Sequence, residues 1–231
     1  MNLKKQIAVY GDSILKGIML DKDSHKYYFS KESVAKSVEE LLPVHIQNNS
    51  KFGCNIQKGY QQLKSALDKG LNCDIVLLEY GGNDCDYDWA EVSTKPKENH
   101  LPHTPIDLFE QTYREIIFEL KEHNIKPLMM SLPPIDAEKY INWITRNGLS
   151  KENITKWLGD VQMIYRFQEL YSNTVSRVAA ETGSQFVDVR SRFLDKHNFK
   201  ELICDDGIHP NAEGHKLISQ TFMDFASAYI A

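Results

Sequence analysis

Residues 7–17 read IAVYGDSILKG, an apolar run that ends in Gly-Asp-Ser and continues into a short apolar and polar pattern. The apolar run predicts a buried strand, and the residues after it favour the start of a helix. Ser13 lies at this junction, where a small hydroxyl residue has two interpretations. It stabilises the first turn of a helix, or it is a nucleophile presented at the end of a strand. The rest of the chain has to decide between them.

Short apolar runs alternate with longer amphipathic stretches along the whole chain. The predicted strands are residues 6–10, 44–49, 74–80, 126–132 and 184–189, and the predicted helices are residues 32–42, 56–67, 108–123, 160–182 and 212–230. Strands that alternate with helices predict βαβ units, a parallel sheet and helices on both of its faces. We therefore expect an α/β fold, a three-layer α/β/α sandwich around a mostly parallel sheet of about five strands.

Polar, glycine-containing segments follow the first three predicted strands. They are residues 11–13, 50–55 and 81–84. In an open parallel sheet, ligands bind at the carboxyl ends of the strands. We therefore expect these three segments to lie along one edge of the sheet and to form a single site.

The bulk properties of the chain narrow the class of protein. Its 231 residues suit a single domain spanning 1–231, and the 27 basic residues are scattered without a long stripe. We therefore expect no nucleic-acid partner. No window approaches the ~18 apolar residues of a membrane span, and the N-terminal apolar run is too short for a signal peptide. These features predict no membrane partner and a cytoplasmic location.

The four cysteines do not suggest a metal site or a disulfide framework. Cys54, Cys73, Cys85 and Cys204 are too far apart in sequence for a zinc or redox Cys-x-x-Cys motif. A chain of this length without a secretion signal does not favour a disulfide framework. We expect free thiols, no metal ion and no organic cofactor.

Two segments are longer than ordinary connections, and they carry all three tryptophans. They are residues 85–105 and 133–159, with Trp89, Trp143 and Trp157. Long loops in a compact domain are often functional, so we expect pocket walls, a lid or a contact between copies in a homo-oligomer. Anchoring of the loops to the core is an equally good interpretation of each tryptophan. The expected substrate contacts are Tyr87, Trp89, His103 and Trp143.

The C-terminal segment CDDGIHPNAEGHKL, residues 204–217, contains the partners that a serine nucleophile needs. A hydroxyl is a poor nucleophile at neutral pH and requires a base held in the right tautomer. Asp206 and His209 are three residues apart, so a turn can bring the carboxylate to one ring nitrogen while the other faces the site. Asp205 and Asp188 are alternative carboxylates, and the spacing favours Asp206.

Four segments, in order, resemble the blocks of the SGNH hydrolase superfamily, also called the GDSL lipase/esterase family. The matching segments are Gly-Asp-Ser at 11–13, residues 48–55, Gly-Gly-Asn-Asp at 81–84 and Asp-Gly-Ile-His-Pro at 206–210. The second block matches least closely, because Ser50 and Asn55 stand where the family often has glycine and threonine. The resemblance extends from residue 6 to about residue 220.

The resemblance implies a flavodoxin-like SGNH hydrolase fold and a role for each matching residue. Ser13 would attack the acyl carbon, His209 would act as base and then as acid, and Asp206 would orient the histidine. The oxyanion would be held by the backbone N–H groups of Ser13 and Gly53 and by the side-chain amide of Asn83.

The sequence is compatible with three functions. The favoured one is hydrolysis of a small-molecule ester, with removal of a short acyl group such as acetyl from a polar or carbohydrate-like carrier, because the two long segments carry many charges. The second is lysophospholipid deacylation or thioester hydrolysis on longer acyl chains. The third is a non-enzymatic α/β module that binds a small ligand. The chain has neither a G-x-G-x-x-G motif after its first strand nor a Walker motif, which argues against nucleotide binding.

Overall fold

The computed structural model describes residues 4–30 and 34–230. The strands are β1 (Lys5–Gly11), β2 (Ile18–Leu20), β3 (Tyr27–Phe29), β4 (Val44–Asn48), β5 (Ile75–Glu79), β6 (Lys126–Met130) and β7 (Gln185–Val187). The helices are α1 (Ser13–Lys16), α2 (Val34–Leu41), α3 (Ile56–Asp68), α4 (Trp89–Thr94), α5 (Ile106–Glu122), α6 (Ala137–Thr145), α7 (Lys151–Leu158), α8 (Met163–Thr182), α9 (Val189–Leu194) and α10 (Ala212–Ile230), with a 3₁₀ turn at Phe199–Leu202.

Five strands form a parallel sheet in the order β4-β1-β5-β6-β7. Counted along the chain within this sheet, the order is 2-1-3-4-5, which is the order of the flavodoxin-like fold. The predicted five-stranded parallel sheet is confirmed. The direction of strand addition reverses between β1 and β5, and the crevice at such a switch point is where doubly wound sheets bind ligands. Gly11, at the end of β1, pairs with Glu79, at the end of β5.

Helices cover both faces of the sheet, as the three-layer prediction requires. Side chains alternate between the faces along each strand, so Tyr10 and Leu78 face α3, α5 and α8, whereas Val9 and Leu77 face α1, α2, α9 and α10. Residues on both faces are almost fully buried. This double burial explains why the central strands read as continuous apolar runs.

Some predicted boundaries differ from the structure. The helix predicted at 32–42 corresponds to α2, which ends at Leu41. Residues 32 and 33 lie outside the described part of the chain. The predicted strand at 184–189 is shorter, because the Asp188 carboxylate accepts a hydrogen bond from the Ser191 N–H and so starts α9. Aspartate is a strong residue at a helix start, and it overrides the extended pattern here.

The two long segments are not irregular loops, and this corrects the sequence-based interpretation. They contain α4, α6 and α7, whose first turns are capped by Asp88, Asp136 and Ser150. Their apolar residues form a separate buried cluster that includes Trp89 and Ile141. A further element was not predicted, the antiparallel hairpin of β2 and β3.

The longest helices are α8, with 20 residues, and α10, with 19. Within residues 4–30 and 34–230, no helix is both long enough and apolar enough to span a membrane.

Candidate active site

Ser13 lies where β1 ends and α1 begins. The Asp12 carboxylate accepts a hydrogen bond of 2.8 Å from the Ile14 N–H, which fixes the first turn of α1. Ser13 is the first residue of that helix and is only 7% exposed. Position 11 favours glycine, because a Cβ there would lie 3.0 Å from the Glu79 carbonyl oxygen, a tight contact. Local packing thus brings the Ser13 hydroxyl to the carboxyl edge of the sheet.

The segment that carries His209 is a tight loop before α10. Ile203 and Pro210 form an isolated antiparallel bridge that closes this loop. Gly207 has a φ of +80°, and a Cβ at this position would lie 2.4 Å from the backbone nitrogen of Tyr140. Only glycine satisfies both conditions. The loop geometry therefore depends on a residue between the predicted aspartate and histidine.

Ser13, His209 and Asp206 form a continuous chain of hydrogen bonds. The Ser13 hydroxyl lies 2.9 Å from His209 Nε2, and His209 Nδ1 lies 2.6 Å from Asp206 Oδ2. The other Asp206 oxygen accepts hydrogen bonds of 3.1 Å from the N–H groups of Ile208 and His209. With Nδ1–H donating to the carboxylate, Nε2 is free to accept the serine proton.

The environment of Asp206 keeps its carboxyl group ionised. Burial by itself would raise the pKa of Asp206, but the hydrogen bonds from the His209 side chain and backbone outweigh it and lower the pKa below its ordinary value. The two alternative carboxylates are placed elsewhere. Asp205 is exposed, and the Asp188 carboxylate accepts hydrogen bonds from Ser131 Oγ and the Ser191 N–H, each 3.1 Å long.

The residues expected to hold an oxyanion lie around Ser13. Gly53 and Asn83 both line the cavity that contains the serine. Gly53 has a φ of +66°, which explains the glycine, and the space around its absent Cβ is open. The Asn83 amide nitrogen donates a 2.9 Å hydrogen bond to Asp12 Oδ2 and a longer one, 3.3 Å, to the Cys54 carbonyl.

The Asn83 side-chain amide contacts one of two neighbouring buried carboxyl groups, those of Asp12 and Glu79. Asp12 is 2% exposed and Glu79 is fully buried, and the Asp12 N–H donates to Glu79 Oε2 at 3.4 Å. Burial, followed by the charge of Asp12 and a side-chain hydrogen bond with it, raises the pKa of Glu79 well above its ordinary value. Two carboxyl groups this close cannot both be ionised without a large cost. We infer that Glu79 holds the proton while Asp12 accepts from Asn83.

Two aromatic rings flank the imidazole of His209. The centroid of the Tyr27 ring lies 5.1 Å away, and the Phe52 ring is stacked on the imidazole at 6.0 Å with an interplanar angle of 10°. Burial, together with the charge and a hydrogen bond of Asp206, raises the pKa of the Tyr27 hydroxyl to about 12. Neither ring was predicted as part of the site. The aromatic run of β3 was the available signal for Tyr27.

A cavity of about 250 Å³ opens beside Ser13, Asn83 and His209. Of the four side chains expected to contact substrate, Tyr87 and Trp89 line this cavity. The other two lie outside its lining, contrary to expectation. His103 Nδ1 lies 3.0 Å from the Asn83 carbonyl oxygen, and Trp143 packs against Tyr27. Lining residues that the sequence did not suggest include Tyr27, Phe52, Glu79, Tyr140, Phe167 and Gln168.

Comparison with known proteins gives one family. Residues 9–217 match the model of the GDSL-like Lipase/Acylhydrolase family. A curated relative, the GDSL esterase/lipase CPRD49 of Arabidopsis thaliana, is 24% identical over 173 residues, which are 73% of this chain and 60% of that protein. The match therefore spans less than two thirds of the length of this relative.

Two solved structures share the fold along almost their whole length. The lipase/acylhydrolase from Enterococcus faecalis has a TM-score of 0.65 at 15% identity, with 97% of this chain and 96% of that chain covered. Axe2, an acetylxylan esterase from Geobacillus stearothermophilus, has a TM-score of 0.65 at 19% identity, with 97% and 95% covered. At these identities the likeness concerns the fold.

The inferred protonation of Glu79 predicts how stability depends on pH. Between the ordinary pKa of 4.5 and the raised folded value, the unfolded chain has lost this proton while the folded chain keeps it. Rising pH therefore favours unfolding, by up to about 1.4 kcal/mol per pH unit. The variant Glu79→Gln has no carboxyl proton to lose at this position. Its free energy of unfolding, measured relative to that of the unmodified protein, should therefore increase as pH rises from 5 to 8.

Urea denaturation at each pH measures this difference. Glu122→Gln, which changes an exposed glutamate at the end of α5, is the matched control and should track the unmodified protein. If the curve for Glu79→Gln also runs parallel to that of the unmodified protein, Glu79 is ionised in the folded state and the inference is wrong.

Proposed function

The chain belongs to the GDSL-like lipase/acylhydrolase family, and from this membership we propose that it is a serine ester hydrolase with Ser13 as its nucleophile. The observation that carries the proposal is the hydrogen-bonded chain from Ser13 through His209 to Asp206, with distances of 2.9 Å and 2.6 Å. A base at hydrogen-bond distance from a hydroxyl, itself oriented by a buried carboxylate, is the arrangement that activates serine. The proposed mechanism uses no metal ion or organic cofactor.

The proposed reaction has two halves. In the first, Ser13 Oγ bonds to the acyl carbon while its proton moves to His209 Nε2, and the carbonyl π electrons move to the carbonyl oxygen. The tetrahedral intermediate then collapses, the bond to the alcohol breaks, and His209 returns the proton to the departing oxygen. In the second half, water attacks the acyl-enzyme, and His209 again takes and returns the proton. Asp206 stabilises the imidazolium that forms in each half.

Three donors would stabilise the negative charge on the carbonyl oxygen, the N–H groups of Ser13 and Gly53 and the amide of Asn83. Asn83 is held in place by its 2.9 Å hydrogen bond to Asp12, and its longer contact with the Cys54 carbonyl is the one that an oxyanion would replace. Donors fixed in advance cost no reorganisation during the reaction, and each one is worth about 10²–10³ in kcat.

For the substrate, we propose a short acyl group on a polar, carbohydrate-like carrier. The cavity of about 250 Å³ is slightly smaller than the roughly 300–1,000 Å³ of sites that enclose drug-sized ligands. Asp86 lines it, and a polar carrier suits this carboxylate better than an apolar one, which would strip the charge of its water. The Geobacillus acetylxylan esterase has been crystallised as catalytic mutants that replace a serine, an aspartate or a histidine, the residue types that meet here.

Hydrolysis of longer acyl chains, as in lysophospholipases and acyl-thioesterases, is the second candidate. The observation in its favour is the apolar part of the cavity wall, which includes Leu132, Ile135 and Ile164.

The nucleophile is tested by Ser13→Ala. We expect hydrolysis of p-nitrophenyl acetate to fall by roughly 10³-fold or more, because the acyl-enzyme no longer forms. Ser65→Ala, the same change at an exposed serine of α3, controls for the substitution itself. The activities of both variants are measured as initial rates at saturating ester. A Ser13→Ala variant that keeps more than about a tenth of the activity of the unmodified protein would contradict the proposal.

The acyl length is tested with p-nitrophenyl acetate, butyrate, octanoate and palmitate. Because the cavity is small, we expect kcat/KM to be highest for acetate and to fall as the chain grows. The measurement is the Ser13-dependent part of each rate. A kcat/KM that rises with chain length would move the substrate to lipids or acyl thioesters.

A further inference from the structure

We propose that Asp86, held by Trp89 and Tyr140, is a subsite that binds a hydroxyl group on the alcohol portion of the substrate, next to the ester. The class of substrate is then an acylated ring or polyol with a free hydroxyl beside the acylated one. This inference rests on the proposed function, because it assumes that the ester is cleaved at Ser13.

Asp86 is held in place by donors on two helices. Its Oδ1 accepts from Trp89 Nε1 at 2.7 Å, and its Oδ2 accepts from the Tyr140 hydroxyl at 2.7 Å. Trp89 is in α4 and Tyr140 is in α6, so both donors come from the two long segments. Each carboxylate oxygen can accept more than one hydrogen bond. Asp86 therefore has a fixed orientation and spare acceptor capacity.

Asp86 is also one of the residues that line the cavity beside Ser13. It is half-buried, so part of it remains accessible there although its surroundings are dense. Burial raises the pKa of the Asp86 carboxyl, and the hydrogen bonds from Tyr140 and Trp89 oppose this shift. In the described part of the chain, no lysine or arginine lines the cavity. His103 is the nearby basic side chain whose charge favours the ionised form. A half-buried carboxylate has lost part of its water, and a substrate hydroxyl would replace a lost hydrogen bond.

The position of Asp86 suits a group adjacent to the scissile ester. Asp86 is three residues after Asn83, so their Cα atoms lie within ~10 Å of each other. Asn83 is one of the proposed oxyanion donors and marks where the acyl carbon would lie. A distance of this size is spanned by an ester and the neighbouring carbon of a six-membered ring. The lining of the same cavity includes the rings of Tyr87 and Phe167, which offer apolar surface to the C–H groups of such a ring.

The geometry favours a hydroxyl over an ammonium group. Trp89 and Tyr140 direct their N–H and O–H groups at Asp86, and both of these groups lie in the plane of their rings. A cation is attracted by the face of an aromatic ring. An ammonium group paired with Asp86 would therefore meet the edges of these two rings, whereas a hydroxyl needs only an acceptor.

The competing explanation is that Asp86 only ties α4 to α6. That role would affect thermal stability and would change the rates of all esters together. A subsite instead changes the ratio of two rates. The matched esters are the monoacetate of trans-cyclohexane-1,2-diol, which has a free hydroxyl, and cyclohexyl acetate, which has none. Acetylcholine supplies the ammonium ester. Acetate release in a pH-stat gives kcat/KM for each.

In the unmodified protein, we expect kcat/KM for the diol monoacetate to exceed that for cyclohexyl acetate by roughly 10- to 100-fold, as for a hydrogen bond to a charged acceptor. In Asp86→Asn, this ratio should fall to near one. Asp88→Asn makes the same change two residues away, at an exposed helix cap where asparagine also serves, and should keep the ratio of the unmodified protein.

Equal rates for the two esters in the unmodified protein would overturn the proposal, even if Asp86→Asn does not fold. So would an Asp86→Asn variant with an unchanged ratio, or a preference for acetylcholine over the diol monoacetate by tenfold or more. Ligand-observed NMR with Ser13→Ala separates this proposal from the proposed function. Binding that favours the diol monoacetate, and that is lost in Ser13→Ala/Asp86→Asn, supports the subsite even where no ester is cleaved, whereas equal binding contradicts it.

Discussion

The arrangement of the site depends on one hydrogen bond, between Ser13 Oγ and His209 Nε2, which joins residues 196 positions apart. The bond requires the end of β1 and the loop before α10 to meet at the same edge of the sheet. Parallel strands make this possible, because all their carboxyl ends face one way and the strand order reverses between β1 and β5. The sheet is therefore both the core of the protein and the device that brings distant segments together.

The fold could be predicted because the central strands of the sheet are buried on both faces. Burial of this kind leaves an unbroken apolar run, and residues 74–80 and 126–132 are good examples. The hairpin of β2 and β3 left no such run, because its strands have three residues each and the side chains of β3 are exposed. The helices α4, α6 and α7 pack into their own cluster, and their starting signals are single capping residues, such as Asp136. A single capping residue is a weak signal within a long polar stretch.

The site could be predicted only in part. Ser13, Asp206 and His209 stand in short motifs whose spacing reflects their contacts, and the structure brings them within hydrogen-bond distance. The role of Glu79 was not predicted, because Glu79 ends an apolar strand and its role depends on Asp12, which follows the neighbouring strand β1. The contact of Tyr140 with Asp86 was not predicted for a similar reason, since only the packing of α6 brings the Tyr140 hydroxyl to this carboxylate. Contacts between distant segments determine these roles, and local patterns do not encode them.

The claim that Ser13 is an activated nucleophile can be tested without knowing the substrate. A fluorophosphonate reacts with a serine hydroxyl only where a base removes its proton. After incubation and proteolysis, mass spectrometry should find one phosphonate adduct, on the peptide that contains Ser13. Prior denaturation should abolish it, because the bond to His209 is lost. An unlabelled Ser13 peptide, or an adduct on another residue at the same rate, would contradict the account.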